Sequence, residues 1–292
     1  MKLVGAFLWL TSRPLISTAG RVRMVMKLPA HQAKPPKSLR RRHRVVVREA
    51  EGFAYYSVQP QNSSVDRVVM YLHGGAYIRP ITRQHWALVS RLADTGAQVE
   101  VPMYGLAPHH TYRQAYEFLA GVYRRIVTDF PDAAVIIAGD SAGGGLALGF
   151  TQSLASQNLP KPHQLILIAP WLDLTLADPD IAAVNDPWLS REGLIEAGKA
   201  WAGGDDPTDP RLSPLNGPVA DLPPTDLYIG TRDLFHPDAV HLAEKASGHG
   251  PLTLVVCPDA LHVYPLLPTP EGGSAATEII STVTNLRSEH DR

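Results

Sequence analysis

The sequence contains little cysteine and no long apolar run. Cys257 is the one cysteine among 292 residues, which excludes an internal disulfide framework and favours a reducing compartment. Because Cys257 follows an apolar stretch, it is interpreted as a core thiol rather than a nucleophile. The apolar run at residues 3–10 is too short to span a bilayer. We therefore expect a cytoplasmic protein without a membrane partner.

The apolar run near the N-terminus resembles the core of a signal peptide. It is closed by Arg13-Pro14, and no clear small-x-small cleavage site follows it. An amphipathic helix that covers part of the main domain is the preferred interpretation.

Patterns typical of metal and phosphate sites are also missing. His73 has no second ligand at helical spacing, and the sequence has no Cys/His cluster, so no metal is expected. The glycines after Ser141 are not followed by the Gly-Lys-Ser/Thr ending of a phosphate loop. We expect no cofactor.

Positive charge is concentrated at one end of a chain whose formal net charge is −1. Residues 1–50 carry 12 Lys/Arg and a single acid, Glu49. The basic cluster at 40–44 fits nucleic acid or anionic lipid, or a solvated edge paired with the acidic body. Because no aromatic residues interleave the cluster, the solvated edge is preferred and no nucleic-acid partner is expected.

Short apolar strands alternate with amphipathic helices along the chain. Strands are predicted at 53–58, 68–72, 97–103, 133–138, 164–169, 226–230 and 252–257, and helices at 83–93, 111–130, 142–157, 237–247 and 275–287. In 111–130, apolar residues recur every three or four positions. This alternation predicts an α/β fold with a mostly parallel sheet covered by helices on both faces.

Two segments are expected to cover the core. Residues 171–224 interrupt the alternation with prolines and a helix-like stretch at 190–201, which predicts a cap or lid insertion above the sheet edge. Residues 1–44 are expected to form an N-terminal cap segment. The core is then expected at 45–170 and 225–292.

A serine between glycines follows the predicted strand 133–138. Gly139-Asp140-Ser141-Ala142-Gly143 fits Gly-x-Ser-x-Gly and leads into a predicted helix, the context that a nucleophile elbow requires. The strained serine backbone leaves no room for side chains two positions before and after it. Ser141 is therefore a candidate nucleophile at the positive end of a helix, and a glycine-rich turn with a passive serine is the alternative.

Donors for an oxyanion are predicted in the segment "HGGAY", which follows the predicted strand 68–72. The backbone N–H groups of Gly75 and Ala76, with that of Ala142, can converge on a developing negative charge. His73 and Gly74 are expected to support this loop. Alone, two glycines after a strand also fit an ordinary turn.

An acid and a base are expected after the serine, in the order Ser…Asp…His. Asp233 lies three residues beyond the strand end at Gly230, whereas Asp226 lies at the opposite end of that strand. Asp238 is expected in the first turn of the next helix, where an acid stabilises the helix dipole. His262 comes directly after the last predicted strand, unlike the other histidines that follow Asp233: His236, His241, His249 and His290.

Taken together, "HGGAY" and "GDSAGG" resemble the hormone-sensitive-lipase-like (bacterial family IV) carboxylesterases of the α/β-hydrolase superfamily. "YGLAPHH" (104–110) is similar to the family's Tyr-Arg-Leu-Ala-Pro-Glu segment, and "IGTRDLFHPDA" (229–239) resembles its acid loop. "LSP" and "LPP" (212–214 and 222–224) match its approach to that loop. The resemblance implies an α/β-hydrolase fold and a triad of Ser141, Asp233 and His262, with Gly139, Asp140 and Gly143 in support.

The sequence departs from the family pattern in two places. Ala76 replaces the third glycine of His-Gly-Gly-Gly and keeps its N–H, although its methyl group narrows the space for an acyl group. Gly105 and His109 replace the usual Arg and Glu, which puts the loop-bracing contacts of those residues in doubt.

The resemblance implies a serine carboxylesterase that acts on small-molecule esters with short acyl chains. Three alternatives stay open: an amidase or deacetylase with the same triad, a hydrolase-like receptor that binds without turnover, and a scaffold. The presence of Ser141, Asp233 and His262 argues against the last two. A homo-oligomer is compatible with the resemblance, but the sequence has no interface signature.

Overall fold

An eight-stranded sheet forms the centre of the chain in the computed structural model, which describes residues 1, 4–5, 17–28, 33–60 and 65–286. The strands are β1 (Arg44–Ala50), β2 (Phe53–Gln59), β3 (Arg67–Leu72), β4 (Gln98–Pro102), β5 (Ala134–Asp140), β6 (Gln164–Ile168), β7 (Thr225–Gly230) and β8 (Leu252–Cys257). They lie in the order β1-β2-β4-β3-β5-β6-β7-β8. β2 pairs antiparallel with β1 and β4, and the other pairs are parallel.

The described α-helices that connect and flank the strands are α1 (Ala19–Lys27), α2 (Lys37–Arg42), α3 (Arg83–Ala93), α4 (Tyr112–Asp129), α5 (Ala142–Ser153), α6 (Arg191–Ala202), α7 (His236–Ala246) and α8 (Pro270–Asn285). The central strands β4, β5 and β6 are buried along their whole length. Parallel strands covered on both faces have this nearly continuous apolar character. The predicted α/β fold is confirmed.

Strand register brings the functional loops together at one edge of the sheet. In the β3–β5 pair, Leu72 lies opposite Gly139, so the turn after β3 adjoins the turn after β5. In the β7–β8 pair, Gly230 lies opposite Cys257, so the loops after these strands are also neighbours. The carboxyl ends of the parallel strands therefore converge on one site.

Most predicted elements agree with the structure within one or two residues at either end, and α3 agrees at both ends. The last helix is an exception, because it begins at Pro270 rather than at 275. The Thr269 hydroxyl accepts a hydrogen bond from Gly272 N at 3.1 Å, and proline at the first helical position has a suitable fixed φ. The sequence pattern does not indicate a helix start at Pro270, because Gly272 and Gly273 in the first turn are poor helix formers. The predicted helix 142–157 ends at Ser153, followed by a 3₁₀ turn.

The segment 171–224 contains α6 and two 3₁₀ turns, Pro179–Ala183 and Pro214–Asn216. Helix α1 packs against α6: Glu192 Oε1 accepts from Ala19 N at 3.1 Å, and Arg23 pairs with Glu196 at 2.7 Å. The N-terminal part of the chain is thus attached to this segment. The apolar run at 3–10 lies almost entirely outside the described residues.

The basic cluster at 40–44 lies at the surface beside α3. Arg42 Nη2 pairs with Asp94 Oδ2 at 2.7 Å, and His43 Nε2 lies 2.9 Å from Asp94 Oδ1.

No helix in the described part of the chain is both long and apolar enough to cross a membrane.

Candidate active site

Ser141 lies in a strained turn between β5 and α5. Its φ of 53° and ψ of −123° are costly for a residue with a side chain and persist only when the surroundings impose them. A Cβ on Gly143 would overlap the carbonyl oxygens of Leu72 and His73, and one on Gly139 would overlap the Gly143 carbonyl. The glycines thus allow the backbone to turn sharply enough to present the serine hydroxyl at the sheet edge.

The structure places His262 between Ser141 and Asp233, within hydrogen-bonding distance of both. His262 Nε2 lies 2.9 Å from Ser141 Oγ, and His262 Nδ1 lies 2.9 Å from Asp233 Oδ2. Asp233 Oδ1 accepts from Phe235 N at 3.0 Å. All three side chains are buried. Because a carboxylate only accepts, Nδ1 carries the imidazole proton, which leaves Nε2 free to accept the serine hydroxyl.

The charge environment of His262 favours its protonated form. Burial alone lowers the pKa of the imidazole, but the charge and hydrogen bond of Asp233, followed by the charges of Asp186 and Asp140, outweigh burial. The net effect is a pKa above the ordinary histidine value of 6.5.

The "HGGAY" turn lies beside Ser141 with some of its N–H groups unused. Gly74 N donates to Asp140 Oδ1 at 3.0 Å, so this N–H is engaged within the protein. Within the described ranges, the N–H groups of Gly75 and Ala76 have no hydrogen-bond acceptor, and Ala142 opens α5, where N–H groups lack intrahelical partners. The N–H groups of these three residues can donate hydrogen bonds to a developing oxyanion.

A buried network that sequence reasoning missed connects the turn to α3. Tyr71 Oη donates to Asp140 Oδ1 at 2.5 Å, and His85 Nε2 lies 3.2 Å from Asp140 Oδ2. Thr82 N donates to His85 Nδ1 at 2.8 Å, so His85 donates to Asp140 from Nε2. Burial raises the pKa of Asp140, but His85, Tyr71 and the N–H of Gly74 outweigh burial and hold it below the usual value. Asp140 thus anchors the turn as a carboxylate.

His73 and Tyr104 brace the same turn from the other side. The Tyr104 ring stacks on the His73 ring at 4.6 Å, and Tyr104 Oη donates to the His73 carbonyl at 2.5 Å. Burial, followed by the charge of His85, lowers the pKa of His73 to about 4, so its ring is neutral at neutral pH. Ala107 N donates to the Tyr77 carbonyl at 2.9 Å. The "YGLAPHH" segment therefore contacts the turn even though Gly105 replaces the family's arginine.

The alternative acids lie away from the Ser141–His262 pair. Asp226 is near the start of β7, where Thr282 Oγ1 donates to its Oδ2 at 3.3 Å. Asp238 lies in the first turn of α7, as predicted. Burial, with the charges of Asp173 and Asp178, raises its pKa to about 7, so it is only partly charged at neutral pH. Neither carboxylate contacts the imidazole of His262.

Aromatic rings surround the imidazole. The rings of Phe235 and Trp188 meet the His262 ring edge-on, with centroids at 5.2 Å and 5.5 Å. Phe235 stacks on Trp171 at 5.9 Å, and Trp171 stacks on Tyr77 at 5.6 Å.

Within the described residues, no group of three or more His, Cys, Asp or Glu side chains could hold a metal ion.

Comparisons with known proteins found a matching family profile and similar enzymes. Residues 69–266 match the profile of a family described as having the alpha/beta hydrolase fold. An acetyl-hydrolase of Streptomyces hygroscopicus is 33% identical over 69% of this chain and 71% of its own length. A triacylglycerol lipase of Mycobacterium tuberculosis is 34% identical over 76% of this chain, which spans only 47% of that relative.

Solved structures extend the likeness to the fold and to a named esterase family. The crystal structure of an esterase from the bacterial hormone-sensitive lipase family matches with a TM-score of 0.77 and 25% identity, covering 90% of this chain and 88% of its own. The profile match spans β4 to β8, the serine turn and the acid loop. The chain therefore belongs to the hormone-sensitive-lipase-like carboxylesterases of the α/β-hydrolase superfamily and is a carboxylic ester hydrolase.

Proposed function

We propose that the enzyme hydrolyses short-chain acyl esters through an acyl-enzyme intermediate on Ser141. The hydrogen-bonded line from Asp233 through His262 to Ser141, with both distances at 2.9 Å, is the observation that carries the proposal. It supplies a nucleophile, a base in the correct tautomer and a group that orients the base.

In the proposed mechanism, His262 Nε2 takes the hydroxyl proton as Ser141 Oγ attacks the ester carbonyl. The negative charge of Asp233 stabilises the imidazolium that forms. The N–H groups of Gly75, Ala76 and Ala142 bind the oxyanion, and His262 then protonates the leaving alkoxide. A water molecule, deprotonated by the same imidazole, attacks the acyl carbonyl; the bond to Ser141 Oγ then breaks, His262 returns the proton to this oxygen, and the acid is released.

The preference for short acyl chains is supported by buried aromatic rings that lead to His262. Trp171 N donates to the Ser141 carbonyl at 2.9 Å, so the backbone of Trp171 lies against the serine turn. The rings of Tyr77, Trp171 and Phe235 form a buried series that ends at His262. The Streptomyces relative named as an acetyl-hydrolase is consistent with this preference.

Initial rates with p-nitrophenyl acetate, butyrate and octanoate and with p-nitroacetanilide test the proposal. We expect the acetate or butyrate to be fastest and the octanoate to be at least about tenfold slower, as each methylene that a pocket rejects costs a measurable factor. The anilide is expected to be slower than the acetate, which has the better leaving group. Equal or faster octanoate hydrolysis would refute the short-chain preference, and faster anilide cleavage would favour an amidase.

The pH dependence follows from the environment of His262. Only the neutral imidazole can accept the Ser141 proton, so protonation of the free enzyme abolishes attack. Because the surrounding carboxylates raise its pKa, kcat/KM is expected to fall in acid with a midpoint above about 6.5. Measuring kcat/KM for the butyrate ester against pH checks this. A midpoint below that value would mean that burial outweighs the carboxylates.

We place this activity in the cytoplasm, because Cys257 as the one cysteine of the sequence forms no internal disulfide. The proposed partner is a small-molecule ester.

We further propose that residues 1–44 and 171–224 form caps over the core. The packing of α1 on α6 through Arg23 and Glu196 supports a common cap.

A further inference from the structure

A second buried carboxylate lies close to the proposed triad. Asp186 follows the 3₁₀ turn Pro179–Ala183 in the segment that leads to α6, and only 4% of its surface is exposed. No catalytic motif includes it. A buried carboxylate is costly unless hydrogen bonds and charges compensate it, so its contacts indicate what it does.

The Asp186 carboxylate connects two segments of the chain through backbone N–H groups. Its Oδ1 accepts from Trp188 N at 2.7 Å and from Leu189 N at 2.9 Å. Its Oδ2 accepts from Leu234 N at 2.9 Å. One oxygen thus binds the proposed cap segment, and the other binds the loop after β7.

Both segments reach His262 directly. Leu234 is the residue after Asp233, and the next N–H, that of Phe235, donates to Asp233 Oδ1 at 3.0 Å. Two consecutive amides of the acid loop are therefore held by two different carboxylates. On the other segment, the Trp188 ring packs edge-on against the His262 ring at 5.5 Å.

Asp186 also belongs to the electrostatic surroundings of the imidazole. Three carboxylates, those of Asp233, Asp186 and Asp140, raise the pKa of His262 against the opposing effect of burial. Burial, followed by the charge of Asp233, raises the pKa of Asp186 above its ordinary value, although His262 and the N–H groups of Leu189 and Trp188 act in the opposite direction. The charges of Asp186 and His262 therefore favour each other.

We propose that Asp186 is a positioning residue, whose carboxylate holds the acid loop and the Trp188 ring against His262 and adds negative charge that stabilises the imidazolium. The inference rests on the proposed roles of Ser141, Asp233 and His262. It assigns to the proposed cap segment a part in the chemistry besides covering the substrate.

Asp186→Asn is the decisive variant, because it keeps the shape but removes the charge and one acceptor. If the amide oxygen accepts from Trp188 and Leu189, its NH₂ group faces the N–H of Leu234, so the acid loop loses its support. We expect kcat for p-nitrophenyl butyrate to fall about tenfold, with KM changed much less, the scale of losing a hydrogen bond to a charged group. The acid midpoint of kcat/KM is expected to move to lower pH, because removing a negative charge makes His262 easier to deprotonate.

Asp180→Asn is the matched control, since Asp180 lies on the same segment but is exposed. It is expected to keep the wild-type kcat and acid midpoint. A folded Asp186→Asn enzyme with the wild-type kcat and midpoint would overturn the proposal. So would a variant that loses only thermal stability, because that result indicates a purely structural carboxylate.

Asp186→Glu keeps the charge and covers the case in which Asp186→Asn fails to fold. The longer side chain cannot hold all three N–H groups in the same geometry, so kcat is expected to fall while the acid midpoint stays near that of the wild type. A wild-type kcat in this variant would overturn the positioning role. Ser141→Ala, measured in the same assay, separates a failure of the proposed function from a failure of the proposed role of Asp186. Retained activity in Ser141→Ala contradicts the proposed function. Lost activity in Ser141→Ala together with wild-type kcat and midpoint in Asp186→Asn contradicts only the role of Asp186.

Discussion

Ser141→Ala is expected to lower the rate of p-nitrophenyl butyrate hydrolysis by about a millionfold, the scale seen when a serine hydrolase loses its nucleophile. The Ser141 Oγ lies 2.9 Å from His262 Nε2, so its removal leaves the base with nothing to activate. We expect the variant to hydrolyse the ester faster than the uncatalysed reaction in water, because the N–H groups at the turn still bind the oxyanion. Rates are measured with enzyme free of wild-type contamination, and circular dichroism verifies the fold.

Ser156→Ala is the matched control for this variant. Ser156 is exposed in the 3₁₀ turn after α5, where its hydroxyl donates to the Ser153 carbonyl at 2.7 Å. Its loss is expected to leave the rate unchanged. A Ser141→Ala enzyme that retains a tenth or more of the wild-type rate would exclude Ser141 as the nucleophile.

Asp233→Asn is expected to lower kcat by about 10⁴-fold, as in serine proteases with the corresponding change. The carboxylate accepts the Nδ1 proton of His262 at 2.9 Å and so keeps Nε2 unprotonated. An asparagine NH₂ group at the same position would donate to Nδ1 and move the proton to Nε2. The imidazole could then no longer accept the serine hydroxyl. Steady-state kinetics on the folded variant measure the effect.

Asp226→Asn is the control that distinguishes the two candidate acids around β7. Asp226 is near the opposite end of this strand from the acid loop, in contact with Thr282. Its replacement is expected to leave kcat close to wild type. If Asp226→Asn lost activity and Asp233→Asn did not, the assignment of the acid would be wrong.

The sheet and most helices were predictable because their signals are local. A run such as Ala134–Ile137 is apolar at every position, which fits a strand covered on both faces, and the apolar spacing in α4 repeats every three to four residues. The start of α8 was missed because Gly272 and Gly273 resemble a loop. Its cap from Thr269 is a local signal that could have found it.

Residues of the candidate site were predictable where a motif or chain order marked them. Ser141 stands in a Gly-x-Ser-x-Gly turn, and His262 follows the last strand. His85 and Asp186 have no such mark, because their significance arises from contacts with Asp140 and Leu234, which are remote in the sequence. His85 lies in α3 and Asp186 in the segment before α6, so only the packing of these segments on the sheet edge makes them neighbours of the triad.

Covalent labelling of Ser141 tests the central claim most directly. Diethyl p-nitrophenyl phosphate transfers its phosphoryl group to an activated serine and releases p-nitrophenol, and the adduct is stable enough for mass spectrometry of the digested protein. We predict one diethylphosphoryl group per chain, located on Ser141, with activity lost in proportion to labelling. Inactivation by an adduct at another residue, or full labelling of Ser141 with activity retained, would contradict the account.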